Sequence, residues 1–397
     1  MRIRASMAVR ATLLISLMVG TTALSTRLQA DTGICGGASI TLPFTDVPAG
    51  NVFFCSIAEA FFSGLSNGTS GTTYGPGNNV TREQMAAFVT RTMDQSVKRG
   101  SRRAALKQFW TPSSVDGLGL TAVGSAPELV ESDGTDLWVT DDFNGSVSRV
   151  RASDGKLLET WFGAPNAYGV LAAKGLIWLT GFRNPGKLYV VDPTLPVGNA
   201  TTLNISLGDF PRALAFDGAR IWTANQGGSV SIVTLNPLSV NTVTTGFTTP
   251  FGILYDGANM WVTDATANTL LKLDSNGAII QTVTMDPSPV YPVFDGTNIW
   301  VPNAGANTVT VVRASTGTVV ARLGGNGLSI PRIAAFDGER ILVTNLSVTS
   351  VSLWTAADLT PLGSVSFSSA TNSALGACSD GLNFWITLRG TEKLARF

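Results

Sequence analysis

The chain has 397 residues, enough for two domains, with 42 glycines and only 14% charged residues. Residues 1–115 carry 11 Lys/Arg against 5 Asp/Glu and residues 116–397 carry 16 against 22, so the larger part is negative by about 6 charges, which disfavours nucleic acid as a partner. Histidine is absent, which excludes Ser-His-Asp triads, histidine general bases and His-ligated zinc.

In chain order, Arg2, Arg4 and Arg10 precede an apolar run from Ala11 to Val19, and a small-residue region ends near Leu28-Gln29-Ala30. That pattern predicts a secretory signal peptide over 1–30, and the run is too short to span a membrane. Nothing before Cys35 resembles a lipid-attachment sequence. Export places Cys35 and Cys55 in an oxidising compartment, where they are the disulfide candidate. Cys378 lies in an apolar strand and is expected to pack as a small buried hydrophobe.

Residues 31–95 read as a small module. Phe44-Thr45-Asp46-Val47-Pro48 leads into an apolar-periodic helix over 52–62, which Gly64-Leu65-Ser66-Asn67-Gly68 ends. Thr81 and Gln84 form a capping box that opens a second helix running to about Met93. The entry Phe-x-Asp-Val, the Gly-x-x-x-Gly turn and the Thr81-Arg82-Glu83 signature resemble the S-layer homology (SLH) module. The resemblance implies attachment to the cell envelope through an anionic cell-wall polymer or peptidoglycan, with Arg82 as a main contact within Thr81-Arg82-Glu83. A planar guanidinium near a helix N-terminus suits such an anion. The family often uses three modules together, so a single copy raises homo-oligomerisation through the module as a way to rebuild their groove. A basic linker follows over 96–115, with Lys98, Arg99, Arg102, Arg103 and Lys107, and reads as a solvated helix end.

From 116 to 397 one unit recurs: an Asp-Gly turn, an apolar pair ending in Trp, alternating strands, a hairpin, and a strand leading to Pro. The aligned positions are Trp138, Trp178, Trp222, Trp261, Trp300, Leu342 and Trp385, spaced 39 to 44 residues apart. Seven such units predict seven four-stranded blades, because each sheet has two apolar faces that radial stacking buries. The expected fold is therefore mainly β, a seven-bladed β-propeller behind a small α-helical SLH module. The seventh unit stops after its third strand at Phe397, and residues 116–124 resemble the outer strand it lacks, which predicts closure of the ring by a strand from upstream. The repeats resemble those of surface-layer-type, NHL-like and streptogramin (virginiamycin B) lyase propellers. That lyase activity does not carry over, because it relies on histidines.

Motifs that spell chemistry fall in turns. Ser153-Asp154-Gly155-Lys156 occupies a hairpin, Leu323-Gly324-Gly325-Asn326-Gly327 leads to a strand, and the repeated Asp-Gly pairs are turn formers. No catalytic residue, metal site or cofactor is expected. The candidate binding surface is the rim of the channel. Inner-strand entries align as Glu128, Tyr168, Arg212, Phe251, Tyr291, Arg332 and Ser373, with Asp141, Asp142, Phe143, Arg183, Asn225, Asp264, Asn303, Asn345 and Arg389 in companion loops. Arginines among aromatics suit a carboxylated glycan or a peptide terminus; rim-plugging Arg–Asp pairs are the plainer expectation. The function expected is a non-catalytic envelope protein whose propeller binds a glycan or protein or scaffolds a surface layer. The alternatives are a secreted protein without attachment and an exported lyase or hydrolase for a polysaccharide or lactone, with Asp141, Asp142 and Asp264 as its acids.

Overall fold

A computed structural model describes residues 31–35, 38–62, 66–89, 119–348, 350–366 and 374–397. The expected signal peptide, the basic linker, residues 116–118 of the closing strand and Ser373 lie outside the described residues. The chain parts into two compact units between Val80 and Thr81.

In the first unit, strand Thr32–Cys35 pairs antiparallel with Ala38–Thr41, and a helix spans Phe54–Phe62. A disulfide joins Cys35 to Cys55, with Cα atoms 5.5 Å apart. The entry motif is a packing device. Phe44 and Val47 are buried, and Phe44 meets Phe61 edge-on at 4.8 Å. The Asp46 carboxylate accepts the amides of Tyr74 and Gly75 at 2.8 and 2.7 Å, fastening the loop after the helix. Desolvation of Asp46 works against these bonds, yet they hold its pKa below the ordinary value.

The second unit begins with a helical segment over 82–89, opened by the capping box: Thr81 N donates to Gln84 Oε1 at 2.9 Å and Gln84 N to Thr81 Oγ1 at 3.2 Å. From Leu120 the chain forms seven four-stranded antiparallel sheets, the blades of a propeller. The inner strands of the first three begin at Pro127, Ala167 and Pro211. Second strands such as Asp136–Asp141 are buried along their whole length, whereas outer strands such as Thr318–Gly324 alternate with solvent. Blades stacked around a ring bury both faces near the axis and expose the rim.

The seventh blade consists of Ala374–Ser379, Phe384–Leu388, Lys393–Arg396 and, from upstream, Leu120–Ala122. Leu120 pairs with Ala395, Thr121 with Leu394 and Ala122 with Lys393. The ring therefore closes between the two termini of the repeat region.

Two polar patterns recur. In five blades the turn aspartate accepts two backbone amides through Oδ1 and the indole N–H of the repeated tryptophan through Oδ2; Asp256 receives Ala258 and Asn259 at 2.8 and 2.7 Å and Trp261 at 2.7 Å. The same indole bond joins Trp138, Trp222, Trp300 and Trp385 to Asp133, Asp217, Asp295 and Asp380. The blade with Leu342 substitutes Arg340, whose Nε donates to Asp337 Oδ2 at 3.0 Å. The second pattern joins blades: Thr140, Thr180, Thr263, Thr344 and Thr387 donate to the carbonyls of Tyr168, Arg212, Val290, Leu375 and Glu128 on the next inner strand.

Candidate functional site

Inner strands of six blades carry a register shift after their first residue, between Pro127 and Val130 in the first blade and between Pro331 and Ala334 in the sixth. Such a bulge re-aims the side chain it contains. The shifts in blades one to four, six and seven put Glu128, Tyr168, Arg212, Phe251, Arg332 and Leu375 at the position after the first residue. In the fifth blade Pro289 bridges Asn303 as Pro331 bridges Asn345, so Val290 takes that place. The sequence alignment that put Tyr291 and Ser373 there is thus corrected. Both corrected positions lie ten residues before the repeated tryptophan, as in the other blades, so a constant offset from that tryptophan is the signal that finds them. In the seventh blade the following position is Gly376, where a Cβ would collide with the Glu128 carbonyl oxygen of the next blade.

Tyr291 nevertheless enters the channel. Its hydroxyl donates to that of Tyr168 at 3.3 Å, so side chains from the second and fifth blades meet across the axis and close it. Arg212 binds the same Tyr168 oxygen through Nη1 at 2.7 Å and Gln226 Oε1 through Nε at 2.7 Å. Its guanidinium lies 4.3 Å from the Phe251 ring, 4.9 Å from Tyr168 and 4.7 Å from Phe182. Arg332 faces the same Phe251 ring at 4.7 Å and Tyr291 at 5.9 Å. Two cations on one aromatic cluster are held by ring quadrupoles. Burial pushes the Tyr291 hydroxyl well above its usual pKa, with Tyr168 adding to that effect and the two arginines opposing it.

A second cluster adjoins. Glu128 is 1% exposed and its Oε1 lies 2.8 Å from Arg389 Nη1, while Arg389 Nη2 holds Asp142 at 3.1 Å. Desolvation, reinforced by Asp142 and opposed by Arg389 and Arg212, raises the Glu128 pKa to about 7. This group spans the seam where the first and last blades meet.

Other rim candidates are placed elsewhere. Asp141 and Asp264 are buried turn ties: Asp141 Oδ1 accepts amides from Ala126, Phe143 and Asn144, and Asp264 accepts those of Thr248, Thr249 and Ala267. Neither is available as an acid, so Glu128 and Asp142 remain. Arg183 is exposed, next to Phe182 in the chain. Phe182 joins the cluster and stacks on Phe210 at 5.3 Å. Both follow loop glycines or acids without periodic signal, so spacing did not mark them. Thr81, Arg82 and Glu83 are exposed at the start of the helix over 82–89. A shallow cavity of about 220 Å³ on the turn face is lined by Asp217, Arg220 and Tyr255. Of its two aspartates, Asp217 already holds Trp222 and Arg220 and Asp274 accepts the amides of Asn276 and Ala278. Among the described residues, no group of three Cys, Asp or Glu is gathered as a metal site.

Residues 43–86 match the S-layer homology domain family. The chain carries an SLH domain. The match ends just past the Thr81-Arg82-Glu83 signature. No curated protein matches the chain significantly. Among solved structures, virginiamycin B lyase from Staphylococcus aureus is similar with a TM-score of 0.60 and 16% identity, over 70% of this chain and 98% of that one. A streptogramin B lyase gives 0.59 and 16% over 70% and 97%, and the WD40 β-propeller domain of Doa1 gives 0.57 and 12% over 70% and 97%. At such identities the likeness shows the propeller fold alone.

Proposed function

We propose that this is an exported protein held on the cell envelope by its SLH domain, with the propeller acting as a non-catalytic module that binds a glycan or protein. The SLH match over 43–86 carries the reading. The exposed Arg82, in the first turn of a capped helix, offers a planar cation to an anionic wall polymer or peptidoglycan, with Thr81 and Glu83 beside it. Purified cell-wall sacculi are expected to retain the wild type and to release Arg82→Ala; equal retention of both would remove this residue from the anchoring role. Homo-oligomerisation through the module belongs to the same proposal and would appear as a mass above one chain in light scattering.

On the propeller, the aromatic–arginine cluster supports binding rather than turnover. A described structure of the Staphylococcus aureus lyase is a catalytically inactive histidine variant with quinupristin, and this chain has no histidine to supply. One observation favours a second reading. Glu128, with a pKa of about 7 beside Arg389, is suited to move a proton at neutral pH, as a lyase or hydrolase would require. Turnover in a polysaccharide and lactone screen that disappears in Glu128→Gln would establish that reading.

A further inference from the structure

The three channel arginines differ in what they hold. Arg389 has Glu128 and Asp142, and Arg212 has Gln226 and the Tyr168 hydroxyl. The Arg332 side chain has neither hydrogen bond nor ion pair among the described residues, and its Nε is buried without a partner. It is held only by the faces of Phe251 and Tyr291. A half-buried guanidinium backed only by ring faces has one buried Nε–H without an acceptor, and an unpaired partly buried charge is costly. The surrounding charge does not compensate. Arg212, Arg332 and Arg389 stand against Glu128 and Asp142, and both carboxylates already face Arg389.

We propose that Arg332 is the receptor for the carboxylate of an acidic saccharide lying across the channel mouth. Its planar fork matches a carboxylate in two parallel hydrogen bonds, and Phe251 and Tyr291 fix its orientation in advance. Phe143, 81% exposed, and Phe210, 39% exposed, stand in loops of the same face, where they offer the apolar faces of sugar rings a surface. Exposed rings beside a guanidinium fit a sugar ring that bears a carboxylate, and a peptide terminus is kept as an outcome of the test. The inference rests on the reading of the propeller as a binding module and names its ligand class.

The test is calorimetric titration of the full chain with trigalacturonate, with its methyl ester, which keeps the sugar and removes the charge, and with a tripeptide bearing a free carboxyl terminus. Trigalacturonate is expected to bind about tenfold or more tighter than the ester, and Arg332→Gln to lose about the same factor. Arg332→Lys should recover part of it, because the charge returns without the fork. Thermal melts of both variants separate loss of the site from loss of the fold, and a folded Arg332→Gln that binds like the wild type overturns the proposal. So does equal binding of the ester, tripeptide binding without uronate binding, or no uronate binding at all. A neutral glycan bound on an array by a chain that ignores trigalacturonate would overturn this inference while leaving the binding-module reading in place.

Discussion

At one end of the inner strands, Asp133, Asp217, Asp256, Asp295 and Asp380 all hold the indole of the same repeated tryptophan. At the other end the equivalent positions carry Glu128, Tyr168, Arg212, Phe251, Val290, Arg332 and Leu375, six residue types in seven places with only arginine used twice. At the first end both oxygens of the turn aspartate have donors, as the worked case of Asp256 shows. The second leaves Arg332 Nε and both Glu128 oxygens buried without a hydrogen bond, although Glu128 Oε1 is ion-paired to Arg389. Within one fold, sameness marks what every blade needs to stack, and difference marks what the ring can use to recognise something. Buried polar atoms without a hydrogen bond occur at both ends, Asn298 Oδ1, Glu339 Oε2 and Arg340 Nη2 at the turns and those of Glu128 and Arg332 in the channel, so the contrast lies in which residues are repeated.

The widest break in this comparison is to open the ring that both ends share. Deleting residues 119–124 removes the outer strand of the seventh blade and exposes the edge of Lys393–Arg396. The melting temperature is expected to fall by about 10 °C or more, with loss of cooperativity. An unchanged melting curve would show that the termini do not close the propeller.

A smaller effect is expected at the repeated end. Asp256→Ala orphans two turn amides and the buried Trp261 indole, and should cost about 2–4 kcal/mol in urea unfolding. A loss below about 0.5 kcal/mol would reduce the repeated aspartate to a solvated turn former.

The divergent end is sharpened by pH. Glu128 is raised from 4.5 to about 7 chiefly by desolvation, and Glu131, in the same strand, is raised to about 7 by desolvation alone. The folded pKa exceeds the unfolded one, so the stability each contributes is complete below about 4.5 and is lost as pH rises through about 7. Urea midpoints are therefore expected to fall between pH 5 and pH 8 by the equivalent of about 1–3 kcal/mol. Glu128→Gln should remove about half of that slope and Glu128→Gln with Glu131→Gln most of it. Parallel slopes in wild type and both variants would place the pH dependence elsewhere.

Residue types and spacing alone determined the seven units, the closing strand and the helix cap at Thr81. A period near forty residues with turn, alternation and tryptophan in fixed order has few packings, and a capping box is local chemistry. Tertiary structure decided the rest. Strand pairing placed the channel position at Val290 and Leu375 rather than Tyr291 and Ser373, in both cases ten residues before the repeated Trp300 and Trp385 as in the other blades. Burial separated Asp141 and Asp264, spent on backbone amides, from Asp142 and Glu128, and brought Phe182 to Arg212. The charge state of Glu128 and the solitude of Arg332 depend on groups far away in sequence, such as Arg389. Interactions of that kind are set by which blades meet around the axis, and no local pattern in the chain records them.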